Sequence, residues 1–399
     1  VAPDSVGAVT VKSRNPLATF VLAGGTFLMG TTEFIVAGLL PTIAADLGVT
    51  VADAGLMITV FAIGMVVGTP LMAVLMLKLS QRTALCLSLV IFAIGHVIVA
   101  TTSDFALVLS ARVVTALATG AFWAVAAVVA SREAGPEESS RAVGIVISVG
   151  MLANVIGVPV GSLAGQFVGW RGPFWILAAL AGLGLIAVYR TLMHNPPETD
   201  AVSDRAEFKA LQDVRVWLVL ACCVAVNGAS YSAYSYLVPL LMVNTGLPEV
   251  VTPFVLLGYG VGAFIGSYTG GHLGARRPYS VLFATTTGTL LVLGALCLVS
   301  QQSVLTICLT VLLGLFGVSM HPILIAMAVR LAAGAPTLAS ALCTSFLNLG
   351  TAVGSWSAGL ALESELGVLG PVVVGTAIAA LCFIPLGLLA SRQRQVVSA

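Results

Sequence analysis

The chain has 399 residues, of which 59% are hydrophobic and only 8% charged, and its mean hydropathy is +1.08. A water-soluble chain of this length carries about a quarter charged residues, so a soluble globular protein is excluded. The formal net charge of +1 leaves no basic excess for nucleic acid, and basic residues here set membrane topology instead.

Apolar segments of about 20 residues recur, each long enough to span about 30 Å of hydrocarbon as a helix. They are continuously apolar rather than alternating, which favours helices over a transmembrane barrel. The first sixteen residues are polar and carry Lys12 and Arg14. The apolar run after them has no small-residue cleavage site and reads as a retained span. Twelve spans follow in order: Leu17–Leu40, Ala54–Leu77, Thr83–Thr101, Ala106–Ala130, Ala142–Gln166, Pro173–Leu192, Val214–Leu241, Thr252–Leu273, Tyr279–Val299, Val304–Val329, Thr337–Leu362 and Leu369–Ala390. The charge-dense stretch "HNPPETDAVSDRAEFKALQD" divides them six and six. The expected organisation is a tail over 1–16, a six-helix bundle over 17–192, a loop over 193–213, a second bundle over 214–391 and a tail over 392–399.

With the N-terminus inside the cell, every Lys and Arg except Arg112 and Arg171 falls on the cytoplasmic side. Asp46, Asp53, Asp104, Glu249, Glu363 and Glu365 fall outside. The positive-inside rule then predicts a multi-pass plasma-membrane protein with both termini cytoplasmic. The two halves read as distant repeats. "TTEFIVAGLLP" ends the first span at Pro41, and "GASYSAYSYLVP" ends the seventh at Pro239. Asn154, Gly157 and Gly161 in the fifth span have a counterpart in Asn348, Gly350 and Gly354 of the eleventh. Six plus six parallel repeats are an organisation of secondary transporters. The fold expected is all-α, with twelve transmembrane helices in two pseudo-symmetric six-helix bundles.

Four stretches carry a family resemblance: "GTTEF…GLLP.IAADLGV", "ARVVTALATGAFWAV", "GVPVGSLAGQFVGWRGPFW" and "GAPTLASALCTSFLNLGTAVG". Together they cover nearly the whole chain. It resembles the twelve-span drug:proton antiporters of the major facilitator superfamily, and within them the actinobacterial chloramphenicol exporters. It is also similar to the arabinose and sugar-efflux permeases. Two departures stand out. The family's loop between spans two and three has an acid where Leu77 stands and an Arg where Gln81 stands. Its later copy has Ala275 where an acid is common. Lys78, Arg82, Arg276 and Arg277 then face lipid phosphates rather than a charge lock.

Glu33 is the acid that needs an explanation. An ionised carboxylate at a helix centre costs about 2.5–3.5 kcal/mol on the insertion scale, so a functional role is the default. The bland reading is a structural carboxylate bonded to Thr31 and Thr32. Where the charged form is this costly, an acid is suited to taking up and releasing a proton. Arg112 is its candidate partner. At 1.5 Å per residue both sit roughly 10 Å below the outer edge, a matched depth that allows pairing. The resemblance links the family's fourth-span Arg, at this position, to proton coupling.

Gly157, Gly161 and Gly165 share a helical face around Pro159, where small residues allow close helix approach. Through the resemblance, "GVPVGS" is a variant of the antiporter motif, with Ser162 in place of its last glycine. Asn227, Tyr231, Tyr234 and Ser235 share a face of the seventh span and suggest a cavity wall. Phe122, Trp123, Asn154, Met320, His321 and Asn348 are further cavity candidates, and His321 could instead cap a kink before Pro322. His96, alone in the third span, reads as a satisfied packing residue.

The seven cysteines lie in apolar spans without ligand spacing, and no nucleophile–base pair or phosphate loop appears. The expectation is therefore a non-enzyme that needs no cofactor or metal. Its partners would be a small-molecule substrate, protons and the lipid bilayer, and it would work as a functional monomer. The function expected is drug/proton antiport by alternating access, with chloramphenicol-like antibiotics as the first substrates. Sugar or nucleoside efflux on the same scaffold is the near alternative, and a non-transporting polytopic membrane protein the remote one.

Overall fold

A computed structural model of the chain describes residues 16–76, 79–135, 138–192, 213–332 and 335–398. Residues 1–15 of the expected tail, residues 193–212 of the central loop, Leu77, Lys78 and Pro136 lie outside the described residues. Every regular element among the described residues is helical. Twelve helices are long and apolar enough to cross a membrane: Leu17–Gly38, Val51–Leu71, Gln81–Thr101, Phe105–Ala134, Arg141–Val168, Arg171–Thr191, Val214–Ser235, Glu249–Arg276, Pro278–Val299, Ser303–Leu331, Leu338–Leu362 and Gly367–Arg392. They are numbered here as the first to twelfth spans. An even number of crossings places Pro16 and Arg392 at one end of the bundle, and the opposite end is called the far end.

The first and seventh spans break in the same way. The first is α-helical over Pro16–Phe34, tightens to a 3₁₀ turn over Ile35–Gly38 and resumes over Leu40–Leu47. The seventh runs over Val214–Ser235, is interrupted at Tyr236 and resumes over Leu237–Pro239. Pro41 and Pro239 explain both breaks. Each lacks an N–H, and its ring crowds the carbonyl four residues earlier. The two-proline correspondence read from the sequence is thus also a correspondence of backbone shape.

Helix pairing repeats between the halves. The second and fourth spans pack closely, with Gly64 and Gly68 against Ala116 and Leu117 and Gly120 against Thr69. The eighth and tenth spans make the equivalent pair. Gly262, Gly266 and Gly270 lie against the carbonyls of Val311, Leu315 and Ser319, four residues apart on both helices. Likewise the first span packs on the fifth and the seventh on the eleventh.

One sequence correspondence shifts. Gly30 lies against Gly150 and Ala153, whereas Gly228 lies against Gly350 and Gly354. Gly350 therefore matches Gly150 in space, about two turns from Gly157. The Asn–Gly likeness of the fifth and eleventh spans is a likeness of letters, not of position. A π-helical turn over Ala153–Gly157 adds one residue to the fifth span.

The halves meet along their far parts. Thr50 Oγ1 donates to Glu363 Oε1 at 3.0 Å and Gln166 Nε2 to the Glu249 carbonyl at 2.8 Å. Deeper in, Thr59 Oγ1 donates to Ser355 Oγ at 3.2 Å, and the Phe34 and Tyr231 rings stack with centroids 4.5 Å apart. Among the described residues every hydrogen bond between halves lies in this far part.

Candidate functional site: an acid, a bound arginine and a cavity between the halves

The break in the first span sets the geometry around Glu33. The last carbonyls of a helix have no partner within it and accept bonds from outside. Arg112, buried to 1% exposure in the fourth span, supplies one of them. Its Nη2 donates to the Glu33 backbone carbonyl at 3.4 Å and its Nη1 to Thr32 Oγ1 at 3.0 Å. Its Nε donates to the Met57 carbonyl at 3.3 Å, and the guanidinium lies 4.2 Å from the Phe61 ring centroid. The five donors of a guanidinium suit it to this role, and the aromatic face offsets part of the cost of burying the charge.

Arg112 therefore holds the main chain that carries Glu33. No described side chain hydrogen-bonds or ion-pairs with the Glu33 carboxylate itself, although the two charges are within electrostatic reach. Thr31 and Thr32 do not bond it either. Thr31 Oγ1 donates to the Phe27 carbonyl at 2.9 Å, and Thr32 is 2.7 Å from His96 Nε2. The Glu33 side chain remains partly exposed.

His96 completes a polar chain that sequence reading did not find. Its Nδ1 lies 2.7 Å from the Phe92 carbonyl, which can only accept, so Nδ1 carries a proton. In the neutral ring Nε2 then accepts from Thr32, whose oxygen accepts from Arg112. The ring stacks on Phe92 at 3.9 Å between centroids. The available signal was weak, since one His in an apolar span and one Thr beside an acid carry no spacing pattern.

The glycine face of the fifth span packs on the same segment. Gly157 meets Thr31, Gly161 meets Ile35 and Gly165 meets Leu39, each inside the space a Cβ would need. Pro159 lies within the helical run Val158–Val168. Ser162, the departure from the family motif, donates its hydroxyl to the Gly38 carbonyl at 3.0 Å. The hydroxyl serves a carbonyl freed by the 3₁₀ turn, which a glycine could not do.

A cavity of about 270 Å³ opens between the fifth span of one half and the seventh, eighth and tenth of the other. Asn154, Tyr231 and His321 line it, together with Tyr259, which sequence reading missed. The remaining candidates lie elsewhere. Asn227 Nδ2 bonds the Leu347 carbonyl at 2.9 Å and Thr351 Oγ1 at 3.1 Å, tying the seventh span to the eleventh. Tyr234 is buried with its ring stacked on Tyr259 at 4.2 Å, and Ser235 is buried with an unpartnered hydroxyl. Phe122 fills the space above Gly25, and Trp123 packs against Gly150. Asn348 bonds within its own helix to the Thr344 carbonyl at 3.0 Å, and Met320 Sδ accepts from Thr286 at 3.3 Å. Of the loop basic residues, Arg82 lies over the Tyr189 ring at 3.8 Å. Arg276 and Arg277 border a separate opening beside Ser280.

At the far end, Arg171 Nη1 pairs with Asp46, which also accepts from Trp170 Nε1 at 3.1 Å. These two donors, Arg171 first, hold the Asp46 carboxyl below its ordinary range. The sole basic residue expected outside is thus bound to an acid of the neighbouring loop.

Comparison with known proteins is consistent across sequence and structure. Residues 22–332 and 220–398 match the family profile described as Major Facilitator Superfamily. A chloramphenicol resistance protein of Streptomyces lividans is 35% identical over 362 residues, 90% of this chain and 92% of that protein. A probable sugar efflux transporter of Pasteurella multocida is 30% identical over 344 residues, 84% of this chain and 83% of that protein. Among solved structures, a bacterial homologue of the human lysosomal transporter Spinster, in an inward-facing and occupied conformation, superposes with a TM-score of 0.74. It is 16% identical and covers 94% of this chain and 96% of its own, a likeness of fold.

Proposed function

The chain belongs to the Major Facilitator Superfamily, and from that premise we propose that it is a proton-coupled exporter of small amphiphilic drugs, chloramphenicol-like antibiotics first among them. The observation that carries the proposal is the Glu33 carboxylate. It stands in the membrane beside the junction of the halves, bonded to no described side chain, on a backbone that a buried Arg112 holds in place. A structural carboxylate would have donors; a proton carrier has to remain able to gain and lose its proton. The 35% identical chloramphenicol resistance protein supports the substrate class, and the sugar-efflux relative keeps sugar export as the second reading.

By the positive-inside rule the far end, with Asp46, Glu249 and Glu363, faces outward in the plasma membrane. The contacts at Thr50–Glu363 and Gln166–Glu249 then close the outer side, the state in which substrate would enter from the cytoplasm. The two bundles rock about the cavity to expose it alternately. An ionised Glu33 resists closure of a dry path, and a protonated one does not. One proton moving through about 100 mV contributes about 2.3 kcal/mol and a tenfold proton gradient about 1.4 kcal/mol more. One proton per neutral drug thus sustains a gradient of a few hundred-fold.

Glu33→Gln is expected to abolish proton-driven chloramphenicol transport in everted membrane vesicles while the protein stays in the membrane. Arg112→Ala is expected to shift the pH dependence of drug binding. Normal proton-driven transport by Glu33→Gln would overturn the proposal.

A further inference from the structure

The eighth and ninth spans reverse direction on a single residue. The eighth helix ends at Arg276 and the ninth begins at Pro278, with Arg277 alone between them. Proline suits a first helical position, where its fixed φ fits and its missing N–H would have no helical partner. The turn sets two arginines side by side at the end of the bundle that also holds Arg392. By the positive-inside rule that end is cytoplasmic. Arg276 and Arg277 are both exposed, and among the described residues neither guanidinium has an ion pair or a hydrogen bond. Asp213, an acid of the same end, is already paired with Arg215 at 2.7 Å. In the matching loop of the first half, Arg82 is instead covered by the Tyr189 ring.

A cavity of about 540 Å³ runs from this turn into the membrane. The eighth, ninth and tenth spans alone line it, so it belongs to the second half and is separate from the cavity beside Tyr231. Its mouth carries Arg276, Arg277 and Ser280, and no Asp or Glu borders it. Its deep end lies at Leu315, which is level with Gly266 of the eighth span. Ten residues separate Gly266 from Arg276, roughly 15 Å along the helix. Leu273, Ala284 and Phe316 make the wall between them apolar. The wall hydroxyls of Thr269 and Thr285 donate to the Ile265 and Val281 carbonyls of their own helices at 2.8 Å, and Ser319 does likewise to Leu315. Below the arginines the groove therefore offers an occupant no free side-chain donor. Leu273 and Ala284 are exposed along it.

We propose that this cavity seats one anionic phospholipid of the inner leaflet. Two unpaired cations above an apolar groove match a phosphate headgroup above its tail, and basic pockets between helices on the cytoplasmic side suit such lipids. The guanidiniums hold the phosphodiester through charge-assisted hydrogen bonds, and the Ser280 hydroxyl donates another. One acyl chain lies between the eighth and ninth spans, over Phe316. A free phosphate would leave the apolar groove unfilled. A zwitterionic lipid would bring its own cation up to the two arginines. The proposal is independent of the transport reading: it requires only that the chain spans a bilayer with this end inward.

The test titrates lipid onto the full purified chain in a nonionic detergent, read by native mass spectrometry. The probes are dioleoyl phosphatidylglycerol, dioleoyl phosphatidylcholine and glycerol 3-phosphate, a headgroup without chains. One phosphatidylglycerol should be held more tightly than any phosphatidylcholine. Arg276→Gln/Arg277→Gln should weaken that binding about thirtyfold, and Arg276→Lys/Arg277→Lys, which keeps both charges, should retain most of it. Ala284→Trp, which fills the groove and leaves both arginines, should weaken it too. Arg82→Gln should leave it unchanged. Phosphatidylcholine bound as tightly as phosphatidylglycerol, normal binding by the double Gln variant, or an equal loss from Arg82→Gln would overturn the proposal. Glycerol 3-phosphate bound as tightly as phosphatidylglycerol, or binding indifferent to Ala284→Trp, would show an anion pocket without a tail groove and overturn it as well.

Discussion

Arg112, Thr32 and His96 form a line of donors and acceptors with one direction. The guanidinium gives to the threonine hydroxyl, the hydroxyl to the imidazole and the imidazole to the Phe92 carbonyl. Thr32 is the middle of that line and the residue before Glu33, so the line fixes the backbone on which the acid sits. Thr32→Val keeps the shape and removes the hydroxyl. It is expected to leave Arg112 Nη1 without its acceptor at a cost of about 1.5–3 kcal/mol, seen as a lower melting temperature of the purified protein. It should also shift the pH profile of chloramphenicol transport, and Thr32→Ser should return both toward wild type. A pH profile unmoved by Thr32→Val would limit the threonine to a structural part. Glu33 and Arg112 were legible in the sequence because a charge in an apolar run is costly and therefore conspicuous. Thr32 and His96 were not, because a threonine costs little in a helix and a lone histidine is ordinarily satisfied by packing. Their partnership exists only once the first, third and fourth spans are side by side.

At the level of elements, close approach comes in two kinds. Along the eighth and tenth spans glycines lie on backbone carbonyls, and those cannot yield. Along the fifth and first spans Gly161 lies on the tip of the Ile35 side chain, which can turn away. Gly262→Ala is expected to destabilise the protein by about 1–3 kcal/mol, as overpacking does, and Gly161→Ala by clearly less. Thermal unfolding of both variants in the same detergent decides the ranking, and equal losses would show that the two interfaces are equally rigid. The glycine face of the fifth span was readable from its spacing of four. The breaks at Tyr236 and in the first span were partly readable from Pro239 and Pro41. The π-turn at Ala153–Gly157 was not, since it follows from the fit between spans rather than from any residue that forces it.

For the whole molecule, twelve spans and their six-and-six grouping follow from hydropathy and the central break, because span length is set by the thickness of the bilayer. Which way the molecule stands open does not, because both states bury the same spans and differ only in which ends touch. Thr50 and Glu363 bridge the halves at the far end, and the proposed alternating access would require that bridge to part. A Thr50→Cys/Glu363→Cys variant, in a background lacking the exposed Cys308, is expected to lose transport on oxidation and regain it on reduction. Full transport by the oxidised, cross-linked protein would mean that the far end need not open.

The stacked rings of Phe34 and Tyr231 bear on how such a protein can change under selection. One ring follows the acid in the chain and the other borders the cavity, so on the proposed reading energy conversion and chemical taste would be adjacent without sharing a side chain. Under the proposed function, a lineage exposed to a new antibiotic would be free to alter the wall contributed by the second half while inheriting its engine intact.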